Sequence, residues 1–130
     1  MENSQIVQRF IACVNEQELP GALAHVAPGA ELDWTDSEAP DSGRYQGPEQ
    51  WGRWLAGRWE GLGDATFEAT ELRDVPPDKV LIVASMRGRG RASGLETQAL
   101  GAGVVTLRDG LIAGLRLYQS RAEALRALEE

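Results

Sequence analysis

The stretch from Val80 to Arg91, VLIVASMRGRGR, determines how the middle of the chain can fold. Its first five residues are all apolar, and arginine then alternates with glycine. Successive side chains of a strand point to opposite faces, so one strand can carry glycines inward and arginines outward. Alternation therefore places Gly88 and Gly90 on one face and three arginines on the other: Arg87, Arg89 and Arg91. A phosphate-binding loop would need a helix directly after the glycines, and no helical pattern follows.

The segments before this strand predict helices around one early strand. Apolar residues from Ile6 to Val14 recur at helical spacing after Asn3 or Ser4, either of which can cap the first turn. A short helix follows Pro20 and ends at Pro28-Gly29, and residues 30–36 alternate as a strand does. Gly47-Pro48 then opens a third helix that carries Trp51 and Trp54. Residues 37–45 are expected to form a polar loop.

The segments after residue 65 change from helical to strand periodicity. Strands are expected at 65–73, 79–91, 95–108 and 111–118, with a hairpin at Asp109-Gly110. Ser120 and Glu123 have the spacing of a capping box that opens a closing helix. Helices therefore come first and an antiparallel sheet follows, which indicates an α+β fold.

Composition limits the possible functions. A chain of 130 residues is long enough for one domain with its own core. Its net charge of −7 argues against a nucleic-acid partner. Cys13 and His25 are the single cysteine and the single histidine, so a usual zinc site is excluded and no metal or cofactor is expected. No signal peptide or bilayer-spanning run is present, so we expect a cytoplasmic protein with no membrane partner.

Several strings, in order, resemble the nuclear-transport-factor-2-like superfamily (NTF2-like, or ketosteroid isomerase-like), and in particular its SnoaL-like, polyketide cyclase-like branch. They are Tyr45-Gln46-Gly47-Pro48-Glu49, Arg89-Gly90-Arg91-Ala92-Ser93-Gly94, Leu107-Arg108-Asp109-Gly110-Leu111-Ile112 and Ser120-Arg121-Ala122-Glu123-Ala124-Leu125. The resemblance extends over residues 1–130 as a single domain. It implies a cone-shaped, cystatin-like roll, in which a curved antiparallel sheet wraps around helices and an internal cavity. It also implies pairing into a homodimer. Members include cyclases, isomerases, epoxide hydrolases and non-catalytic binding domains, so the fold alone does not identify a reaction.

The catalytic residues of two branches are absent at the matching positions. Where the ketosteroid isomerases carry a tyrosine, a base and an acid, this chain carries Phe10, Trp34 and, near the third position, Gly103. None of these side chains can exchange the proton that the reaction needs. The acid of the epoxide hydrolases becomes Leu117, and their arginine–aspartate pair falls near Ala84 and Met86.

If positions 84 and 86 face the cavity, as the resemblance implies, Gly88 and Gly90 also face inward, and the three arginines face outward. This alternation predicts an apolar pocket with aromatic walls, suited to a flat hydrophobic ligand. The candidate substrate-binding residues are Phe10, Trp34, Trp54, Met86, Leu117 and Gln119. The same apolar side chains could instead simply fill the core.

Asp36 is the candidate catalytic residue, since a carboxylate beside Trp34 would be partly desolvated and so strengthened as a base. A solvated loop aspartate is the alternative interpretation. Glu71 shares the phase of Phe67 and Ala69 and is a second inward carboxylate candidate.

Two functions remain open on the sequence alone. One is a cofactor-independent cyclase or isomerase that moves a proton next to a carbonyl, with Asp36 as acid and base. The other is a non-catalytic domain that dimerises or sequesters a ligand. Both have a small hydrophobic molecule as the expected partner and a homodimer as the expected assembly.

Overall fold

The computed structural model describes residues 2–34, 43–61, 66–89 and 96–129. They form four helices and six strands in one α+β arrangement. The helices are α1 (Asn3–Asn15), α2 (Leu19–Leu23), α3 (Gly47–Gly61) and α4 (Arg121–Glu129). The strands are β1 (Val26–Asp33), β2 (Arg44–Gln46), β3 (Thr66–Val75), β4 (Lys79–Arg89), β5 (Glu96–Arg108) and β6 (Leu111–Tyr118). None of these helices is long and apolar enough to span a bilayer.

The strands form one curved sheet in the order β2-β1-β6-β5-β4-β3. Strands β3 to β6 form an antiparallel meander, as the sequence predicts, whereas β1 lies parallel to β6. At the β5–β6 turn, Asp109 and Gly110 have φ values of 54° and 79°. Positive φ at both central residues is what a tight hairpin of this kind requires.

The amino-terminal half differs from the prediction in three places. Strand β1 begins at Val26, because Val26 pairs with Ile112 of β6, and this long-range pairing overrides the local signal of Pro28-Gly29. The short strand β2, in part of the expected loop, pairs with Leu32 and its neighbours. Helix α1 is capped at Glu2 rather than at Asn3 or Ser4, through reciprocal hydrogen bonds with Gln5.

Helix α1 is fixed across β3 at both of its ends. The backbone N–H of Ser4 donates to Asp74 Oδ1 at 3.1 Å. At the other end, Asn15 Nδ2 donates to the Phe67 carbonyl at 2.9 Å, and the Phe67 N–H donates to Asn15 Oδ1 at 2.7 Å. These bonds hold the apolar side of α1 over the inner face of the sheet.

The two faces of the sheet pack against different helices. Inner-face side chains such as Leu32 and Val105 join the main core with Val7 of α1 and Trp51 of α3. Outer-face side chains Leu81, Val104 and Tyr118 pack against Ala124 of α4. Helix α4 begins as predicted, with the Glu123 N–H donating to Ser120 Oγ at 3.2 Å.

Two β-bulges change which residues face inward. In β3, Ala69 pairs with Ala84 and Glu71 pairs with the next residue, Val83, so Thr70 is inserted. In β6 the register shifts between Gly114 and Ile112. A bulge inserts one unpaired residue and so reverses the alternation beyond it. No glycine or proline marks the bulge at Thr70, whereas Gly114 lies beside the bulge in β6.

Candidate functional site

A cavity of about 190 Å³ lies between the inner face of the sheet and helices α1 and α3. Helix α1 supplies Val7, Phe10, Ile11 and Val14 to its wall, and α3 supplies Trp54 and Leu55. The sheet supplies a wider surface that includes Phe67, Ile82, Ala84, Met86, Gly101 and Leu117. None of the lining residues identified in the described part of the chain carries a charged side chain.

The hollow arises from a row of very small residues across the sheet. Ala69 pairs with Ala84, and Ala84 pairs with Gly101, so three neighbouring strands present two methyl groups and a hydrogen in one row. Two residues before Ala69 in β3, Phe67 pairs with Met86 of β4. The long side chains of both residues form an adjoining part of the cavity wall. Small residues between large ones leave a space that the helices above do not fill.

Aromatic rings determine the shape of the upper wall. Phe10 contacts Trp51 edge to face, with ring centroids 6.1 Å apart, and Tyr45 of β2 lies 6.2 Å from Trp54. Trp51 is fully buried, and its Nε1 donates to the Ala30 carbonyl at 3.1 Å. Such contacts fix rings at defined angles and keep the cavity wall apolar.

Trp34 lies directly after β1, where the chain leaves the sheet. Its backbone N–H donates to the Gly43 carbonyl at 2.8 Å, and the Gly43 N–H donates back at 3.3 Å. Trp34 lines the cavity, and its indole Nε1 is buried with no hydrogen-bond partner in the described part of the chain. The ring of Trp34 is therefore part of the apolar wall, and its Nε1 is a polar atom buried in that wall.

The candidate binding residues divide into five on the cavity wall and one outside it. Phe10, Trp34, Trp54, Met86 and Leu117 all line the cavity, and their role in binding stays a prediction. Gln119 follows β6, has an exposed side chain and is not among the lining residues, so its position does not support a substrate-positioning role.

The strand phase that we predicted for residues 80–88 agrees with the cavity wall. Ile82, Ala84 and Met86 line the cavity, whereas Leu81 packs on the outer face and Arg87 is exposed. Arg91 lies outside the described residues, as does Gly90. Helical residues of the wall, such as Val7 and Ile11, were missed because the sequence does not show which sides of α1 face the sheet.

The two carboxylate candidates have different outcomes. Asp36 lies outside the described residues, two positions after Trp34. The prediction that Glu71 faces inward is wrong, because the bulge at Thr70 turns it toward the outer face, where Arg121 Nε lies 2.7 Å from its Oε1. The hydrogen bond from Arg121, supported by the charge of Arg73, lowers the pKa of Glu71.

The single cysteine and the charged side chains give no sign of a catalytic centre within the described ranges. Burial, together with the charges of Glu18 and Glu16, raises the pKa of the Cys13 thiol, which disfavours the reactive thiolate. No three His, Cys, Asp or Glu side chains of residues 2–34, 43–61, 66–89 and 96–129 are grouped so that they could hold a metal ion.

A second depression, on the outer face, has the opposite chemistry. It measures about 450 Å³ and is lined by charged residues of both signs: Glu31, Asp33, Arg44, Lys79 and Arg116. Arg44 Nε lies 3.6 Å from Asp33 Oδ2 and 4.0 Å from Glu31 Oε1. The molecule thus has an apolar hollow inside and a polar one outside.

Comparison with known proteins identifies the family. A family model described as a SnoaL-like domain matches residues 7–115. No curated protein matches the chain. Among solved structures, an NTF2-like protein from Burkholderia pseudomallei is 18% identical, with a TM-score of 0.80 and 97% of each chain covered.

Two further solved structures are similar in fold. A Mycobacterium tuberculosis protein in complex with estradiol-17β-hemisuccinate is 19% identical, with a TM-score of 0.76, covering 90% of this chain and 92% of that chain. A putative polyketide cyclase from Sinorhizobium meliloti is 24% identical, with a TM-score of 0.70, covering 88% of this chain and 94% of that chain. At these identities the likeness establishes the fold alone.

Proposed function

Because the chain belongs to the SnoaL-like domain family, a family with diverse activities, we propose a function from its cavity: it binds a small, flat, hydrophobic molecule there. The observation that carries this proposal is the apolar wall around a hollow of about 190 Å³. Concave sites lined by aliphatic and aromatic side chains favour ligands that bury most of their surface. The steroid rings of the ligand bound by the similar Mycobacterium tuberculosis protein have this flat apolar shape, although that ligand also carries a hemisuccinate group.

The test is binding of a fluorescent apolar ketone, 6-propionyl-2-dimethylaminonaphthalene, whose emission shifts to the blue in an apolar site. We expect saturable binding to the wild-type protein. Ala84→Phe places a ring in the cavity and is expected to lower the affinity about tenfold or more, since one ring occupies much of such a site. Thr66→Phe adds the same ring at an exposed position and is the matched control. Equal affinity in all three proteins would contradict the proposal.

Catalysis, if it accompanies binding, is assigned to Asp36. In the proposed reaction, a cyclisation or isomerisation next to a carbonyl without a cofactor, this carboxylate takes and returns a proton. A screen of carbonyl substrates with Asp36→Asn tests the assignment. We expect the variant to lose about a hundredfold or more in rate, the usual contribution of a general base. Full activity in Asp36→Asn would remove Asp36 from the mechanism.

The non-catalytic alternative, a ligand-sequestering domain, is favoured by the side chains at the wall. By the resemblance, Phe10 and Trp34 occupy positions at which the ketosteroid isomerases carry catalytic groups, and Gly103 lies near a third. All three line the cavity. Saturable binding without turnover of any screened carbonyl compound is the result expected for this alternative.

The proposal extends to a homodimer formed through the outer face of the sheet, in a cytoplasmic protein. The outer depression carries acidic and basic groups side by side, and a surface of mixed charge can complement its own copy across a two-fold axis. We expect sedimentation equilibrium to give a dimer mass. Arg116→Glu is expected to shift the mass toward the monomer, whereas Arg9→Glu, on the exposed side of α1, is the control. A wild-type monomer would overturn this part.

A further inference from the structure

Two tryptophans of the same core differ in the hydrogen bonding of their indole nitrogens. Trp51 Nε1 is matched within the fold, donating to the Ala30 carbonyl at 3.1 Å. Trp34 Nε1 is equally withdrawn from solvent, yet no acceptor meets it in the described part of the chain. Both rings belong to the same apolar cluster, and Trp34 is the one that borders the cavity.

An indole N–H can only donate a hydrogen bond, so the group that pairs with it must be an acceptor. Buried polar groups in folded proteins are nearly always paired, and an unpaired one loses its hydration without compensation. The described wall around Trp34 is aliphatic and aromatic and offers few acceptors in reach. A molecule in the cavity can supply the acceptor that the described residues do not.

We propose that Trp34 Nε1 is the polar anchor of the site, so that the ligand is an apolar molecule carrying a neutral hydrogen-bond acceptor, such as a ketone or quinone oxygen. This inference rests on the proposed function, since it requires a ligand in the cavity. A carboxylate or phosphate is excluded from the class, because no cation lines the described wall to compensate its charge. Trp34 then determines both the class of the ligand and its orientation.

The test compares two probes that differ only in the carbonyl: 2-acetylnaphthalene and 2-ethylnaphthalene. Their affinities are measured by equilibrium dialysis for the wild-type protein and for Trp34→Phe, which keeps an aromatic wall and removes the donor. The quantity compared between the two proteins is the ratio of the ketone affinity to the hydrocarbon affinity. Because the two probes differ in hydration by the same amount in both measurements, that difference drops out of the comparison. We expect that ratio to fall about tenfold in Trp34→Phe, the usual effect of one neutral hydrogen bond.

A second measurement needs no variant that might fail to fold. In ¹⁵N-labelled protein, the Trp34 indole N–H resonance, assigned by sequential experiments, is expected to move downfield with the ketone and not with the hydrocarbon. The Trp51 resonance, already bonded to Ala30, is the internal control and is expected to stay in place.

The outcomes separate the two proposals. If neither probe binds, the proposed function fails. If both bind with an unchanged affinity ratio and an unmoved Trp34 resonance, the cavity binds ligands and the polar anchor is wrong.

Discussion

The inner and outer faces of the sheet come from the same strands, yet the inner face borders an apolar hollow, whereas the part of the outer face beside α4 is packed. On the inner face the row Ala69, Ala84 and Gly101 presents almost no side-chain volume. The adjacent outer row, Val83, Ala102 and Tyr118, packs with α4 through Ala124 and Leu125. A shift of one residue along each strand therefore separates the row of small residues beside the cavity from a row that packs against α4.

This difference shows the part that side-chain size plays in forming the cavity. The two faces are opposite sides of one curved sheet, and both carry apolar residues. A close-packed protein interior leaves few voids unless the sequence supplies small residues where a larger one would fit. The three mutational predictions that follow test the two faces against each other.

The largest effect is expected from truncating neighbouring residues on opposite faces. Leu81 is fully buried on the outer face, whereas Ile82 is half-buried and borders the cavity. Leu81→Ala is expected to lower the free energy of unfolding by about 2–5 kcal/mol. Ile82→Ala should cost at least about 1 kcal/mol less, since fewer atoms surround its side chain. Urea denaturation measures both; a larger loss for Ile82→Ala would break the comparison.

A smaller effect is expected from adding one methyl group at two glycines of the inner face. At Gly103 a new Cβ would lie 3.2 Å from Leu115 Cδ1 and 3.3 Å from Leu117 Cδ2. At Gly101 the nearest atom would be the Tyr118 carbonyl oxygen at 3.8 Å, an ordinary contact. Gly101→Ala is therefore expected to stabilise the protein by about 0.5 kcal/mol, through the smaller entropy of the unfolded chain.

Gly103→Ala is the matched counterpart and is expected to destabilise by about 1 kcal/mol, because two leucines must move. Thermal unfolding of the pair gives the order directly. The measurement is made without a bound probe, and Gly101→Ala is expected to unfold at the higher temperature. If the two variants proved equally stable, the hollow at Gly101 would be smaller than the structure indicates.

The smallest effect concerns the ion pair that ties α4 to the outer face. Arg121 Nε lies 2.7 Å from Glu71 Oε1, and this bond lowers the pKa of Glu71 in the folded state. A lowered folded pKa adds stability above the unfolded pKa, and that stability is lost as the pH falls through the folded value. In Arg121→Gln, unfolding below a pH of about 4.5 is therefore expected to depend less on pH than in the wild type.

The control for that titration is Arg53→Gln, which removes a similarly short ion pair, 2.8 Å to Glu49, from the exposed side of α3. Both side chains of that pair are exposed and screened by solvent, so the wild-type pH profile should be retained. Identical profiles for Arg121→Gln and the wild type would show that Glu71 is not stabilised by its partner.

The sequence predicts the fold well where structure is local. The hairpin at Asp109-Gly110, the start of α3 at Gly47-Pro48 and the cap at Ser120 each follow from residues within a few positions of one another. It fails where pairing is long-range: β1 begins at Val26 because Ile112 lies beside it, some eighty-six positions later in the chain.

The residues of the cavity wall are likewise predictable where the strands are regular, and not where a bulge interrupts them. Alternation placed Met86 and Leu117 on the cavity wall, because no irregularity separates them from the residues that set the phase. It failed for Glu71, since the bulge at Thr70 reverses the alternation and no glycine or proline marks it in the local sequence. Similarly, Ile112 reaches the cavity only because of the second bulge.

The parallel pairing of β1 with β6 has a consequence for synthesis on the ribosome. Strand β1 and its partner β2 join the rest of the sheet only through β6, the last strand of the chain to emerge. Until then the meander of β3, β4 and β5 can form by itself, whereas β1 and β2 can pair only with each other. Contacts between distant parts of a chain form slowly, so closure of the cavity by Trp34 is a late event in folding.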